Sequence, residues 1–223
     1  MGQTSEQAGI TWRDGAVPVS TRFDDPYFSL DNGPAETRHV FLAGNDLPER
    51  FSDGFHIAEL GFGTGLNLLA TAQAWRAGGT QGKLRFTSFE QYPMTRGEAE
   101  QALSVFPNLG ELTAEIIPIW SEHRLDLPWL EARIVLGDAR ETLPAWEGLA
   151  DAWFLDGFSP AKNPELWGDA LMRQVALHTG PQGTCATYTA AGHVRRSLED
   201  AGFEVERVPG YGRKRHMTRG KLR

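Results

Sequence analysis

Apolar residues in this chain fall into short unbroken runs separated by longer stretches in which they recur every three or four positions. The runs read as buried strands and the recurring stretches as helices. From residue 55 onward the two alternate: Phe55–Ala58 is a strand, Leu66–Trp75 an amphipathic helix and Leu84–Phe89 a strand. Thr95–Phe106 is a helix that Thr95 can cap, and Arg133–Leu136 and Ala152–Leu155 are strands. Glu165–His178 is a helix, Thr184–Thr189 a strand, Gly192–Ala201 a helix and Phe203–Val208 a strand, with residues 212–218 returning antiparallel. Upstream, Ile10–Trp12 and Val17–Val19 flank Asp14-Gly15 as a hairpin, Phe23–Phe28 is a loop and Pro34–Ala43 a short helix. The alternation predicts an α/β fold with a doubly wound, mostly parallel sheet and a C-terminal antiparallel strand, ligands binding at the strand C-termini. Residues 1–50 read as a hairpin/helix extension packed on a core of 51–223, one structural unit overall.

The turn after the first core strand is Glu59-Leu60-Gly61-Phe62-Gly63-Thr64-Gly65. Residues without Cβ let backbone N–H groups approach a ligand, and the following helix N-terminus adds partial positive charge. A dinucleotide fingerprint needs G-x-G-x-x-G, but the third position here is Leu66 and the glycine is Gly65. The resulting E-x-G-x-G-x-G pattern is similar to the first motif of S-adenosylmethionine (SAM) methyltransferases. An ordinary glycine-rich βα turn is the alternative.

Three further acids stand where strands stop: Glu90, Asp138 and Asp156. An acid at the Glu90 position can accept both ribose hydroxyls of a nucleoside, and one at Asp138 can face an adenine amino group. Asp156 opens the loop Asp156-Gly157-Phe158-Ser159-Pro160-Ala161-Lys162-Asn163-Pro164. Its layout resembles the D-P-P-Y loop of amine-directed nucleic-acid methyltransferases. On that reading Asp156 supplies an oxygen for the target N–H and Phe158 a ring to stack on the base. The alternatives are a helix cap for each acid and a core plug for Phe158.

Charge divides the chain unevenly. Net charge is −7, yet the last 17 residues hold Arg207, Arg213, Lys214, Arg215, Arg219, Lys221 and Arg223 and no acid. That cluster suits a polyanion, or else a solubilising tail or a boundary stub leading into a further domain. The single cysteine, Cys185, excludes an internal disulfide and a Cys-based zinc site and reads as a core residue. The histidines His39, His56, His123, His178, His193 and His216 show no metal-ligand spacing, so no metal is expected. The polar Met1–Gly9 start predicts no signal peptide, and no apolar run is long enough to span a membrane. A cytoplasmic location is expected.

Four blocks carry a more specific resemblance: Phe23–Gly33, Gly61–Asn67, Asp151–Pro164 and Gly210–Met217. Together they resemble, in matching order from about residue 10 to 220, the methyltransferase domain of the bifunctional tRNA 5-methylaminomethyl-2-thiouridine biosynthesis family (MnmC) and its standalone relative MnmD. The resemblance implies a Rossmann-like fold and SAM-dependent methylation of the primary amine of 5-aminomethyl-2-thiouridine at the tRNA wobble position. It implies Glu59, Gly61, Gly63, Gly65, Asn67, Glu90 and Asp138 for SAM, and Asp156 and Phe158 for catalysis. Asp156 would orient the amine, accept its proton, or do both. For an anticodon loop with a splayed base, Phe28 and Tyr211 are stacking candidates, and Lys162, Arg195, Arg196, Arg213, Lys214 and Arg215 are candidates for phosphate or substrate. Bifunctional members carry an FAD-dependent oxidase domain that this sequence lacks, so an oxidase would be a separate domain or partner. The competing readings are a small-molecule amine methyltransferase or aminopropyl transferase on the same scaffold, and a non-catalytic tRNA-binding module.

Overall fold

The computed structural model describes residues 6–29 and 32–223; Met1–Ser5, and Leu30 and Asp31 of the Phe23–Gly33 block, lie outside them. The chain opens with β1 (Ile10–Arg13), β2 (Val17–Ser20) and β3 (Asp25–Pro26), a small antiparallel sheet. The third strand arises inside the segment expected to be a loop. Helix α1 (Gly33–Thr37) begins where Asn32 Oδ1 accepts from the Ala35 N–H at 3.0 Å, and it widens into a π turn over Arg38–Leu42.

The main sheet then builds outward from its centre. β4 (His56–Leu60) leads through the glycine turn to α2 (Leu66–Gly78), and β5 (Leu84–Glu90) leads to α3 (Arg96–Leu103). Thr95 caps α3 in a reciprocal box with Glu98. Three short elements follow that the apolar pattern did not announce: α4 (Gly110–Ile116), α5 (Ile119–Glu122) and edge strand β6 (Arg124–Asp126). β7 (Leu130–Leu136), α6 (Ala139–Thr142) and β8 (Ala150–Leu155) complete the first crossovers. α7 starts only at Asp169 and runs to Leu177, because Pro164–Trp167 forms its own tight turn and Gly168 is extended. β9 (Thr179–Thr187) starts earlier than expected, its pairing with β8 running through a register shift between Ala150 and Ala152. α8 (Gly192–Asp200), β10 (Phe203–Pro209) and β11 (His216–Leu222) end the chain.

The eight-stranded order is β10-β11-β9-β8-β4-β5-β7-β6. β4, β5, β7, β8 and β9 pair in parallel, whereas β6 and β11 run antiparallel to their neighbours. Successive residues of the central strands are apolar on both faces, as expected for parallel strands covered on each side. Ile57, Phe86 and Phe154 join one buried cluster with Leu68, Leu69 and Ile116; Ala58, Trp153 and Leu155 join another with Met172, Val175 and Leu198. Cys185 lies in the second cluster, where burial pushes its thiol up to about 12. The chain moves from β4 to β5 and β7 on one side, then crosses to β8 on the other. The switch point therefore falls between the C-terminal ends of β4 and β8.

Candidate active site at the switch point

At the end of β4, the Asp156 N–H donates to the Leu60 carbonyl at 3.0 Å, so the two strand exits run side by side. A Cβ on Gly61 would lie 2.5 Å from the Asp156 carbonyl oxygen, and Gly61 also has φ of 91°. Only glycine permits that approach. Beyond these exits lies a cavity of about 550 Å³, within the usual range for a small-molecule site. Gly61, Gly63, Asn67, Glu90, Asp156 and Phe158 line it, as do Phe28, Tyr211, Arg213 and Lys214.

Glu90 ends β5 with its carboxyl turned back on the glycine turn. Oε2 accepts from the Gly63 N–H at 3.0 Å and Oε1 from the Tyr92 N–H at 2.8 Å. Each oxygen keeps a second lone pair, which is the donor-seeking pair a ribose diol requires. Burial raises its pKa, while the N–H groups of Gly63 and Tyr92 oppose the rise. The glycine cradle, this carboxyl and the cavity size fit the nucleoside half of SAM.

Asp156 sits at the end of a buried polar chain. Asn67, on the first turn of α2, donates from Nδ2 to Asp156 Oδ2 at 2.7 Å and to Glu59 Oε1 at 2.8 Å. Its Oδ1 accepts from Thr37 at 2.8 Å, and Ser88 donates to Glu59 Oε2 at 2.7 Å. The Asn67 amide is thus fully used, and its orientation is fixed. Burial pushes the Asp156 carboxyl up to about 7, with nearby Glu36 adding to the rise and Asn67 and Lys214 opposing it. Glu59, wholly enclosed in β4, is raised well above the carboxylate range by burial despite its bonds to Ser88 and Asn67.

The Asp156–Pro164 loop is tied on three sides. Trp167 Nε1 donates to the Phe158 carbonyl at 2.9 Å, Tyr188 donates to the Gly157 carbonyl at 2.8 Å, and the Ser159 N–H donates to Asp25 at 2.9 Å. The last of these brings in the N-terminal sheet, which also roofs the cavity with aromatics. Phe23 stacks on Phe158 with centroids 4.8 Å apart, and Tyr27 meets the same ring edge-on at 5.0 Å. The half-buried Phe158 is therefore neither a core plug nor a free ring.

Seven expected residues do not line the cavity. Glu59 stands one step behind it and reaches it only through Asn67. Gly65 fits under Trp120 instead. Asp138 caps α6, accepting from the Arg140 N–H at 2.9 Å and pairing with its guanidinium, which holds the carboxyl below its usual value; an adenine-facing role is not what this geometry provides. Its neighbours Gly137 and Ala139 are the lining residues there. Lys162 bonds the Asp24 carbonyl and lies 3.9 Å from Asp25, fastening the loop to the N-terminal sheet rather than facing substrate. Arg195 and Arg196 lie on α8 away from the wall, and exposed Arg215 is beside it. Conversely, Tyr27, Tyr188, Glu36 and Asp25 line the cavity without having been singled out. Tyr188 lies just past the end of β9, so the strand-end rule applied to aromatics as well as acids would have found it. Glu36 carried no local signal.

The profile of the S-adenosyl-L-methionine-dependent methyltransferase family matches residues 108–223. The chain belongs to that family. Among curated relatives, the tRNA 5-methylaminomethyl-2-thiouridine biosynthesis bifunctional protein MnmC of Caulobacter sp. (strain K31) is 47% identical over 223 residues, covering 92% of this chain and 37% of its own. The same-named protein of Aeromonas hydrophila is 46% identical over 241 residues, covering 99% and 36%. The chain therefore spans little more than a third of the length of these relatives. Among solved structures, MnmC2 from Aquifex aeolicus superposes with a TM-score of 0.77 at 26% identity, covering 99% of this chain and 72% of that one. TrmN from Thermus thermophilus, at 18% identity and a TM-score of 0.53, shares the fold. No helix among the described residues is long and apolar enough to cross a membrane.

Proposed function

We propose that this methyltransferase transfers a methyl group from SAM to the primary amine of 5-aminomethyl-2-thiouridine at the tRNA wobble position, in the cytoplasm. The observation that carries the reading is the Asp156 carboxyl, held by Asn67 and flanked by Phe158, in the same cavity as Glu90 and the glycine turn. The names of the curated relatives supply the nucleoside.

When bound, SAM supplies an activated methyl group on a sulfonium. Glu90 would hold the ribose, and Gly61 and Gly63 would let the backbone close on the cofactor. The chain's remaining work is alignment, which is worth effective molarities on the order of 10⁵ M or more. Asp156 Oδ2 accepts from Asn67, and the other oxygen accepts no hydrogen bond among the described residues, leaving it to an amine N–H. An alkylamine has a pKa of about 10 in water. With its own carboxyl near 7, Asp156 is too weak a base to strip an ammonium unaided, but the apolar roof of Phe23, Tyr27 and Phe158 lowers the amine toward it. Orientation of the neutral amine is the main role, with proton acceptance following as the nitrogen becomes cationic. Phe158, with Phe23 and Tyr27 packed against it, belongs to the aromatic roof that covers the flipped base, and exposed Arg213 and Arg215 take anticodon phosphates. Residues 1–50 act as the roof of the same structural unit. The oxidase step of the relatives belongs outside these residues, in an FAD-dependent domain or partner.

The test is tritium transfer from labelled SAM to tRNA isolated from a strain lacking this modification, with polyamines as the competing acceptor. Label in tRNA at the wobble nucleoside supports the proposal. Label in polyamines alone moves the activity to small amines, and SAM binding without transfer leaves a tRNA-binding module.

A further inference from the structure

The cavity lining is acidic: Asp25, Glu36, Glu90 and Asp156 stand against two cations, Arg213 and Lys214. Lys214 projects from the turn between β10 and β11, where its own N–H donates to the Tyr211 carbonyl at 3.0 Å. Its ammonium lies 2.7 Å from Glu36 Oε1 and 4.1 Å from the centroid of the Tyr188 ring. The two partners are fixed. Tyr188 is pinned by its hydroxyl to the Gly157 carbonyl at 2.8 Å, one residue from Asp156, and Glu36 belongs to the short helix α1. The cation is the exposed member of the pair: the Lys214 side chain is 46% exposed, whereas that of Glu36 is 13% exposed.

A carboxylate beside the face of an aromatic ring is an alkylammonium site. A mostly enclosed carboxylate cannot be left without a cation cheaply, so something must fill that site whenever substrate is away. We propose that Glu36 and Tyr188 receive the alkylammonium of the incoming substrate, and that Lys214 is the chain's own stand-in, displaced into solvent when substrate arrives. The inference rests on the amine-substrate reading above and extends it. It assigns a loading position beside Asp156, in which the amine is still protonated before it reaches the apolar roof. It also removes Lys214 from the set of phosphate contacts. A half-exposed ion pair is weak, so displacing it is a small barrier.

The test uses n-butylammonium, which reproduces the lysine side chain, titrated calorimetrically into the chain saturated with S-adenosylhomocysteine. Three variants are compared with the parent: Lys214→Met, which keeps the apolar stem, Glu36→Gln, and the two together. The expected result is binding about two- to fivefold tighter in Lys214→Met than in the parent, as loss of a half-exposed competing ion pair allows, with the gain lost when Glu36→Gln is added. Equal S-adenosylhomocysteine affinity in all four proteins shows that the fold is intact. No gain in Lys214→Met, or a gain that survives Glu36→Gln, overturns the site. A companion measurement of tRNA methylation separates this proposal from the one beneath it. If the butylammonium pattern holds while the parent methylates only polyamines, the tRNA assignment falls and the cation site stands. If the parent methylates tRNA and Lys214→Met raises KM with a shallower salt dependence, Lys214 is a phosphate ligand and the stand-in role is refuted.

Discussion

Replacing Asp156 by Asn makes the protein more stable above neutral pH while disabling the site. Burial raises the carboxyl from 3.8 to about 7 in the folded chain, and the unfolded chain releases the same proton near 3.8. Between those values the folded state binds more protons than the unfolded state, so stability falls as pH rises through the window and levels off above about 7. Three units at about 1.36 kcal/mol each set an upper bound of about 4 kcal/mol. Water in the cavity screens part of this, which leaves about 2 kcal/mol. Asn carries no charge at any pH and still accepts from Asn67 through its side-chain oxygen. Its advantage should therefore open progressively from pH 5 to pH 8. The assay is urea unfolding of both proteins at each pH unit, reading the difference in stability. Glu90, also raised by burial, and His56, lowered by burial to about 4, are common to both proteins and cancel, whereas Glu59, whose rise includes repulsion from Asp156, shares in the difference. A difference that stays constant across pH 5 to 8 would refute the picture of a carboxyl held at the edge of ionisation.

Other outcomes follow from the same geometry. Glu90→Ala removes the acceptor that would hold two ribose hydroxyls, each bond to a charged group being worth about 1.5–3 kcal/mol, so SAM affinity measured by calorimetry should drop about 100-fold or more with the fold retained. Gly61→Ala sets a Cβ 2.5 Å from the Asp156 carbonyl and strains a backbone at positive φ; SAM binding should be lost and the melting temperature should fall, whereas unchanged values would mean the strand exits are free to part. Changing Arg213 and Arg215 together to Glu should weaken tRNA binding and flatten its log–log salt slope by about 1.4, at about 0.7 per phosphate contact, in a filter-binding series that leaves SAM affinity unchanged.

Much of the site was legible because it is local. A βα turn, a strand-end acid or a loop such as Asp156–Pro164 is set by a few adjacent residues, and the sheet topology brings such turns together automatically. What stayed hidden depends on partners distant in sequence. Asp138 is the exception, for it carries the same local signal as Glu90, yet Arg140, only two residues on, claims it as a cap. Lys162 is six residues from Asp156 in sequence but is taken up by Asp24 and Asp25 of the N-terminal sheet. Glu36 and Tyr188 meet only because α1 and the end of β9 converge on the cavity. The stretch from 107 to 126 gave no reading because α4, α5 and β6 are each too short for a period to show.

The position of β11 has a bearing on how this molecule comes into being. It follows β10 in the chain, yet it lies between β9 and β10 and pairs with both. Among the described residues β10 has no other neighbour, so it joins the sheet only through β11. The turn between the two strands places Tyr211, Arg213 and Lys214 at the cavity. The far sheet edge and that part of the cavity wall therefore depend on one hairpin. A chain cut short of β11 would present the bare edge of β9, open to strand addition from other chains, and would leave those three side chains without the strand pair that positions them.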